Sequence, residues 1–112
     1  MSFFYYRYDF EQTIFVKNII MEKKVIVIAK VQEVKVQEFI ELSNRMIEKS
    51  NAEKDCLSYQ LYKSINNQKE FIFHEKYRNE EALEKHNSSE HFKFFINSVM
   101  PLLAEEPSIE VY

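Results

Sequence analysis

The 112-residue chain contains no glycine, and nothing else in it narrows the possible folds and sites so sharply. Glycine takes up positive φ at no steric cost and lets the backbone come close to a ligand. Average usage is about 7%, so its complete absence removes whole classes of binding site. Loops that cradle phosphate and the dinucleotide-binding fingerprint both need glycines at fixed spacing. Kinase-like, nucleotide-hydrolysing and Rossmann readings are therefore excluded. Any turn requiring positive φ must use asparagine or aspartate, and Asn66–Asn67 is the obvious place.

A chain of this length is expected to be one domain with a single modest core. The formal net charge is −3 and no basic run is present, which argues against a nucleic-acid partner because phosphates would go unneutralised. The lone cysteine, Cys56, rules out an internal disulfide framework and fits a reducing, cytoplasmic compartment. No apolar run approaches the roughly 20 residues that span a bilayer, so no membrane association is expected. Residues 1–20 are crowded with Phe and Tyr but broken by Arg7, Asp9, Glu11 and Lys17, unlike the uninterrupted apolar core of a signal peptide. They read as an extension to a domain spanning residues 21–112. An extra strand or a partner-covering arm is the rival reading, because so many aromatics seldom stay solvated.

From Lys24 onward the periodicity switches cleanly between two and 3.6. Val25–Gln32 is β-branched and alternates, with Val25, Val27, Ala29 and Val31 on one face and Ile26 and Ile28 on the other. A helical stripe follows through Val36, Phe39, Ile40, Ser43, Met46 and Ile47. Cys56–Ser64 and Lys69–Tyr77 read as two strands of a hairpin turning at Asn66–Asn67. Asn79 is placed to cap a short helix ending at His86. Asn87, with Glu90 three residues on, has a capping-box pattern for a second helix, whose stripe is Phe92, Phe95, Ile96, Val99 and Leu103 and which Pro101 ends or kinks. Ser108–Tyr112 can form a last strand. Strand, helix, strand, strand, helix pair, strand is the order of an α+β, ferredoxin-like split βαβ fold: an antiparallel sheet with its helices on one face. Its other face would carry Ile26, Ile28 and Ile72, too apolar for free exposure, and a homodimer packing sheet on sheet covers it.

The stretch Phe71–Phe92 holds all three histidines. Alternation puts Phe71, Phe73, Glu75 and Tyr77 on the helix-facing side of their strand, so a carboxylate and a phenol end an apolar row. A carboxylate buried there costs several kcal/mol unless paired. On the short helix Ala82, Leu83 and His86 share the inward face, which aims His86 at the same layer. Three such groups converging on an apolar pocket can hold a small polar-headed aromatic or dicarbonyl compound and move protons near neutral pH. The same residues also fit a purely structural Glu–His hydrogen bond beside a satisfied tyrosine. His74 points to the opposite face. His91 reads as a solvated first-turn residue. His86 and His91, five apart across a helix break, lack the i, i+4 spacing that sets two ligands on one helical face, so no metal is expected. Cys56 has no histidine at a recognisable spacing and reads as a small buried hydrophobe.

The series carried by Cys56, Tyr59, Glu75, Tyr77, His86, His91 and Phe92 resembles the antibiotic biosynthesis monooxygenase domain family, over roughly Val25 to the C-terminus. The pattern is a Cys/Tyr-bearing strand, an aromatic strand ending in Glu-x-aromatic, an acidic helix ending in His, then a polar linker and His-Phe. The resemblance implies a dimeric ferredoxin-like fold and, among its branches, cofactor-free oxidation of quinols or polyphenols. It implies His86 as base or proton shuttle, Glu75 as its orienting partner and Tyr77 as donor to a substrate oxygen, with Tyr59, Phe73, His91 and Lys30 around the substrate. A second branch processes the phosphorylated autoinducer-2 signal, and Lys30 would there neutralise a phosphate. A non-catalytic ligand-binding dimer is the third reading. The heme-degrading branch fits poorly: the chain has no Trp, and its first strand carries Lys30 and Gln32 where that branch has an Asn.

Overall fold

A computed structural model describes residues 21–112; the expected extension, residues 1–20, lies outside the described residues. Four strands, β1 (Lys23–Lys30), β2 (Cys56–Lys63), β3 (Glu70–Tyr77) and β4 (Ser108–Val111), form one antiparallel sheet in the order β2-β3-β1-β4. Three helices, α1 (Val36–Asn51), α2 (Glu80–Asn87) and α3 (Glu90–Val99), complete the ferredoxin-like α+β fold. None of the described helices is long and apolar enough to cross a membrane.

The period-two pattern of β3 appears directly in its burial: Phe71, Phe73, Glu75 and Tyr77 are buried, while the residues between them are half-exposed. β1 pairs with it in register, Val25 opposite Glu75, Val27 opposite Phe73 and Ala29 opposite Phe71. α1 lays Phe39 and Met46 on this face and α3 lays Phe95 and Val99 beside them. Phe39 meets Phe71 at 5.0 Å between centroids, and Phe95 stands edge-on to Phe73 at 5.7 Å. Each fully buried phenylalanine of this layer contributes about 1.5–3 kcal/mol, so the aromatic layer is the main support of the fold.

Two local expectations are corrected. The hairpin between Lys63 and Glu70 turns without any positive φ among the described residues. Its long loop lets side chains replace backbone geometry: Ser64 Oγ accepts from the amides of Asn66 and Asn67, and Asn67 Oδ1 accepts from the Lys69 amide. The cap of α3 is Ser89 rather than Asn87. α2 runs through Asn87, Ser89 is extended, and its Oγ accepts from the Phe92 amide at 3.2 Å. Asn79 caps α2 as expected, accepting from the Ala82 amide at 2.9 Å. Pro101 sits in a one-turn 3-10 segment, Met100–Leu102, that ends the helix.

Candidate functional site

Glu75 and Tyr77 end the apolar row of β3, and their side chains bond each other: the Tyr77 hydroxyl donates to Glu75 Oε1 at 2.6 Å. Both are buried, Tyr77 completely and Glu75 to 5% exposure. Tyr59 lies directly across from Glu75 on β2, and its hydroxyl also favours the charged carboxylate. A bulge at Leu57 sets this up. The register shifts between Cys56 and Ser58, so Cys56 packs inward against Tyr77 and Ala82 while Tyr59 still faces the helices. Bulges beside sites commonly re-aim side chains in this way.

Burial pushes the Glu75 carboxyl up to about 7, against the two tyrosine hydrogen bonds that hold it down, with the Glu53 charge adding to the rise. The same burial, and then the neighbouring Glu75 charge, drive the Tyr59 and Tyr77 phenols far above their ordinary range, so they stay protonated and able to donate. Burial and the charge of Glu53 likewise push the Cys56 thiol up to about 11, leaving it a poor nucleophile at neutral pH.

A cavity of about 360 Å³ opens between the sheet and the helices. Tyr59, Phe73 and Glu75 line its floor; Leu83, Asn87, Phe92 and Met100 line its helical wall; Ile109 and Val111 of β4 form one rim. Among the described residues, Glu75 is its only ionisable carboxylate and no lysine or arginine lines it.

His86 behaves differently from the expectation. It is 1% exposed and lies behind the cavity wall, its ring 5.2 Å from Tyr77, 5.4 Å from Tyr59 and 5.2 Å from Phe92. Its orienting partner is Glu53, not Glu75: Nδ1 meets Glu53 Oε2 at 2.7 Å. His91 Nε2 meets the same oxygen at 2.5 Å. His91 is thus a partly buried member of this cluster, not a solvated first-turn residue, and it does not line the cavity. The two histidines meet although they are five apart: α2 ends between them, and the Ser88–Ser89 turn brings α3 back so that both rings face Glu53. Burial holds the His86 imidazole below its ordinary value, opposed by the Glu53 hydrogen bond and charge, with His91 adding to the lowering. His86 Nε2 is buried without a hydrogen-bond partner among the described residues.

Glu53 has no signal in periodicity, since it sits in the turn joining α1 to β2. That turn is clamped to the end of β3, where the Arg78 amide donates to the Asp55 carbonyl at 2.9 Å and Arg78 Nε to Asp55 Oδ1 at 3.0 Å. An acidic pair, Glu53 and Asp55, in a short polar loop beside the hairpin is the clue, because loops held by a rigid scaffold tend to carry site residues. Lys30 does not join the site. It lies at the opposite end of the sheet from Tyr77, is largely exposed, and pairs with Glu105 at 3.6 Å.

Residues 24–98 match the model of a family described as antibiotic biosynthesis monooxygenase. An uncharacterized protein of Synechocystis sp. is 38% identical over 83 residues; the match takes in 74% of this chain but only 56% of that protein's length. YcnE of Bacillus subtilis, provisionally named a monooxygenase, is 29% identical over 75 residues, 67% of this chain and 79% of its own. Among solved structures, a conserved protein from Methanosarcina mazei superposes with a TM-score of 0.80 at 29% identity, over 83% of this chain and 92% of that one. A Caulobacter crescentus protein, provisionally named an antibiotic biosynthesis monooxygenase, gives 0.78 at 28% identity over 86% and 93%. Sequence and fold agree over most of the described residues, and the chain belongs to the antibiotic biosynthesis monooxygenase family.

Proposed function

We propose that the protein is a monooxygenase that needs no added cofactor and oxidises a small, uncharged quinol-like or polyphenolic compound in the cavity above Glu75. The observation that carries this is the cavity floor: a buried carboxyl pushed up to about 7 in an apolar space of about 360 Å³. An electron-rich phenol stacks on such aromatic walls, and its hydroxyl meets a base whose basicity burial has raised. That no lysine or arginine lines the cavity among the described residues favours this substrate class over a phosphorylated carbonyl, whose charge those residues would leave unmatched. Lys30, which would have matched it, lies elsewhere.

Glu75 is then the proton acceptor, exchanging the part expected of His86, and Tyr59 and Tyr77 tune it through their hydroxyls. The deprotonated substrate is its own reductant and passes electrons to dioxygen within a water-poor pocket. The balance is SH2 + O2 → SO + H2O: the substrate gives up two hydrogens, one oxygen atom enters the product and the other leaves as water. Oxygen uptake with menadiol-type quinols tests the reading. Wild type is expected to exceed the uncatalysed rate, and Glu75→Gln to lose most of the excess, on the order of 10²–10⁴-fold for a general base. Uptake at the uncatalysed rate by the wild type would refute it.

The resemblance that supports this reaction also supports a homodimer. Ile26, Ile28, Ile72 and His74 on the outer sheet face are half-exposed and adjacent in the register, with the exposed Tyr62 beside them. That apolar strip is suited to burial against a second copy.

A further inference from the structure

Outside the cavity, three groups with ligand chemistry come together from three parts of the chain. Glu53 lies on the turn after α1, His86 in the last turn of α2 and His91 in the first turn of α3. One ligand atom from each falls within 4.8 Å of the other two. None of the three lines the cavity above Glu75. We propose that Glu53, His86 and His91 form a binding site for a divalent transition ion of the zinc type, distinct from the substrate cavity.

The donor set is two imidazole nitrogens and one carboxylate oxygen, a combination that suits zinc and its neighbours and leaves coordination positions for water. Bonds of about 2.0–2.1 Å at tetrahedral angles put two ligand nitrogens roughly 3.3 Å apart. His86 Nδ1 and His91 Nε2 already converge on a single carboxylate oxygen, at 2.7 and 2.5 Å. The three ligand atoms lie within 4.8 Å of one another, and an ion seated among them requires a step back by Glu53. The residue able to make that step is the one on a turn, whereas His86 is fixed by its aromatic cage. Ligation through His86 Nδ1 and His91 Nε2 requires the ring proton of each neutral imidazole to sit on the other nitrogen, His86 Nε2 and His91 Nδ1. Entry is open on one side. His91 lines a second cavity of about 410 Å³ between α1 and α3, together with Glu90, Arg45 and Lys49. Because two of those side chains are cationic, affinity here comes from the ligand bonds and not from a general negative field.

The full chain, stripped with a chelator, is titrated with Zn2+ at neutral pH by calorimetry, and histidine ring resonances are followed by NMR. One saturable site is expected. Glu53→Gln and His91→Ala should each weaken it at least about ten-fold, while His74→Ala, on the opposite sheet face, should titrate like wild type. In the wild type, zinc should shift the His86 and His91 ring signals and spare His74. This last readout stands even if a variant fails to fold. Absence of saturable binding, unchanged affinity in both folded variants, or shifts that do not single out His86 and His91 would overturn the proposal. The result does not depend on oxygen uptake, so either reading can fail without the other.

Discussion

Replacing Glu75 by glutamine should change how stability depends on pH far more than it changes stability at any one acidic pH. Glu75 is 5% exposed, and its carboxyl rises from 4.5 to about 7 on folding. For an acid raised in this way the folded state holds its proton after the unfolded state has lost it. Stability attached to the group is therefore fully present below about pH 4.5 and is lost as pH climbs through about 7. At about 1.36 kcal/mol per pH unit the loss is about 3 kcal/mol, and solvent screening removes little from it at this burial. His86 works in the opposite sense. Its lowered value means that protonation of the unfolded chain erodes stability as pH falls below the ordinary histidine range. The two effects overlap, so a wild-type profile alone would not separate them. The difference between wild type and Glu75→Gln does, because His86 is common to both and glutamine keeps an acceptor for the Tyr77 hydroxyl. Urea unfolding at intervals from pH 4 to pH 8.5 should show that difference moving by about 3 kcal/mol in favour of the glutamine variant, most steeply between 4.5 and 7. A difference flat to within about 0.5 kcal/mol would show that Glu75 ionises as if in water, and the assignment of Glu75 as a neutral-pH base would fall with it.

Three further outcomes follow from the same contacts. Tyr77→Phe removes the 2.6 Å bond to Glu75; it should cost about 1.5–3 kcal/mol where Glu75 is ionised and less where it is protonated, read from urea curves at pH 8 and pH 5. Ser89→Ala deletes both the cap of α3 and the 2.7 Å bond that Ser89 Oγ donates to the His86 carbonyl. A loss of about 1–2 kcal/mol is expected, together with a shift of the His91 ring signal; an unshifted signal would mean that the linker does not hold His91. Ile28→Lys on the outer sheet face should convert a dimer to a monomer in light scattering without loss of helix content by circular dichroism, and a wild type that is already monomeric would end that reading.

Much of the fold could be read in advance because its signals are local. The alternation of Phe71, Phe73, Glu75 and Tyr77 follows from the pleat of a strand, so their common burial needed no knowledge of what covers them. The helical stripe of α1 and the cap at Asn79 are likewise decided within a few residues. Misreadings arose where two local solutions competed. Asn87 and Ser89 can both cap, and the length of α2 chose between them. Asn66–Asn67 can take positive φ, but a six-residue loop with Ser64 and Asn67 side chains to close it made that unnecessary.

The chemistry of the site divides along the same line. That a carboxylate and a phenol end an apolar row, with a histidine aimed nearby, was implicit in spacing alone. Which carboxylate His86 bonds was not, because Glu53 is 33 residues away in the chain and reaches it only when Arg78 ties the α1–β2 turn to the end of β3. Nor could spacing show that His91 would turn back onto that same oxygen, or that Lys30 would lie at the far end of the sheet. Periodicity records which face of an element a side chain occupies; the meeting of side chains from separate elements depends on how loops close and helices dock, and that information is non-local.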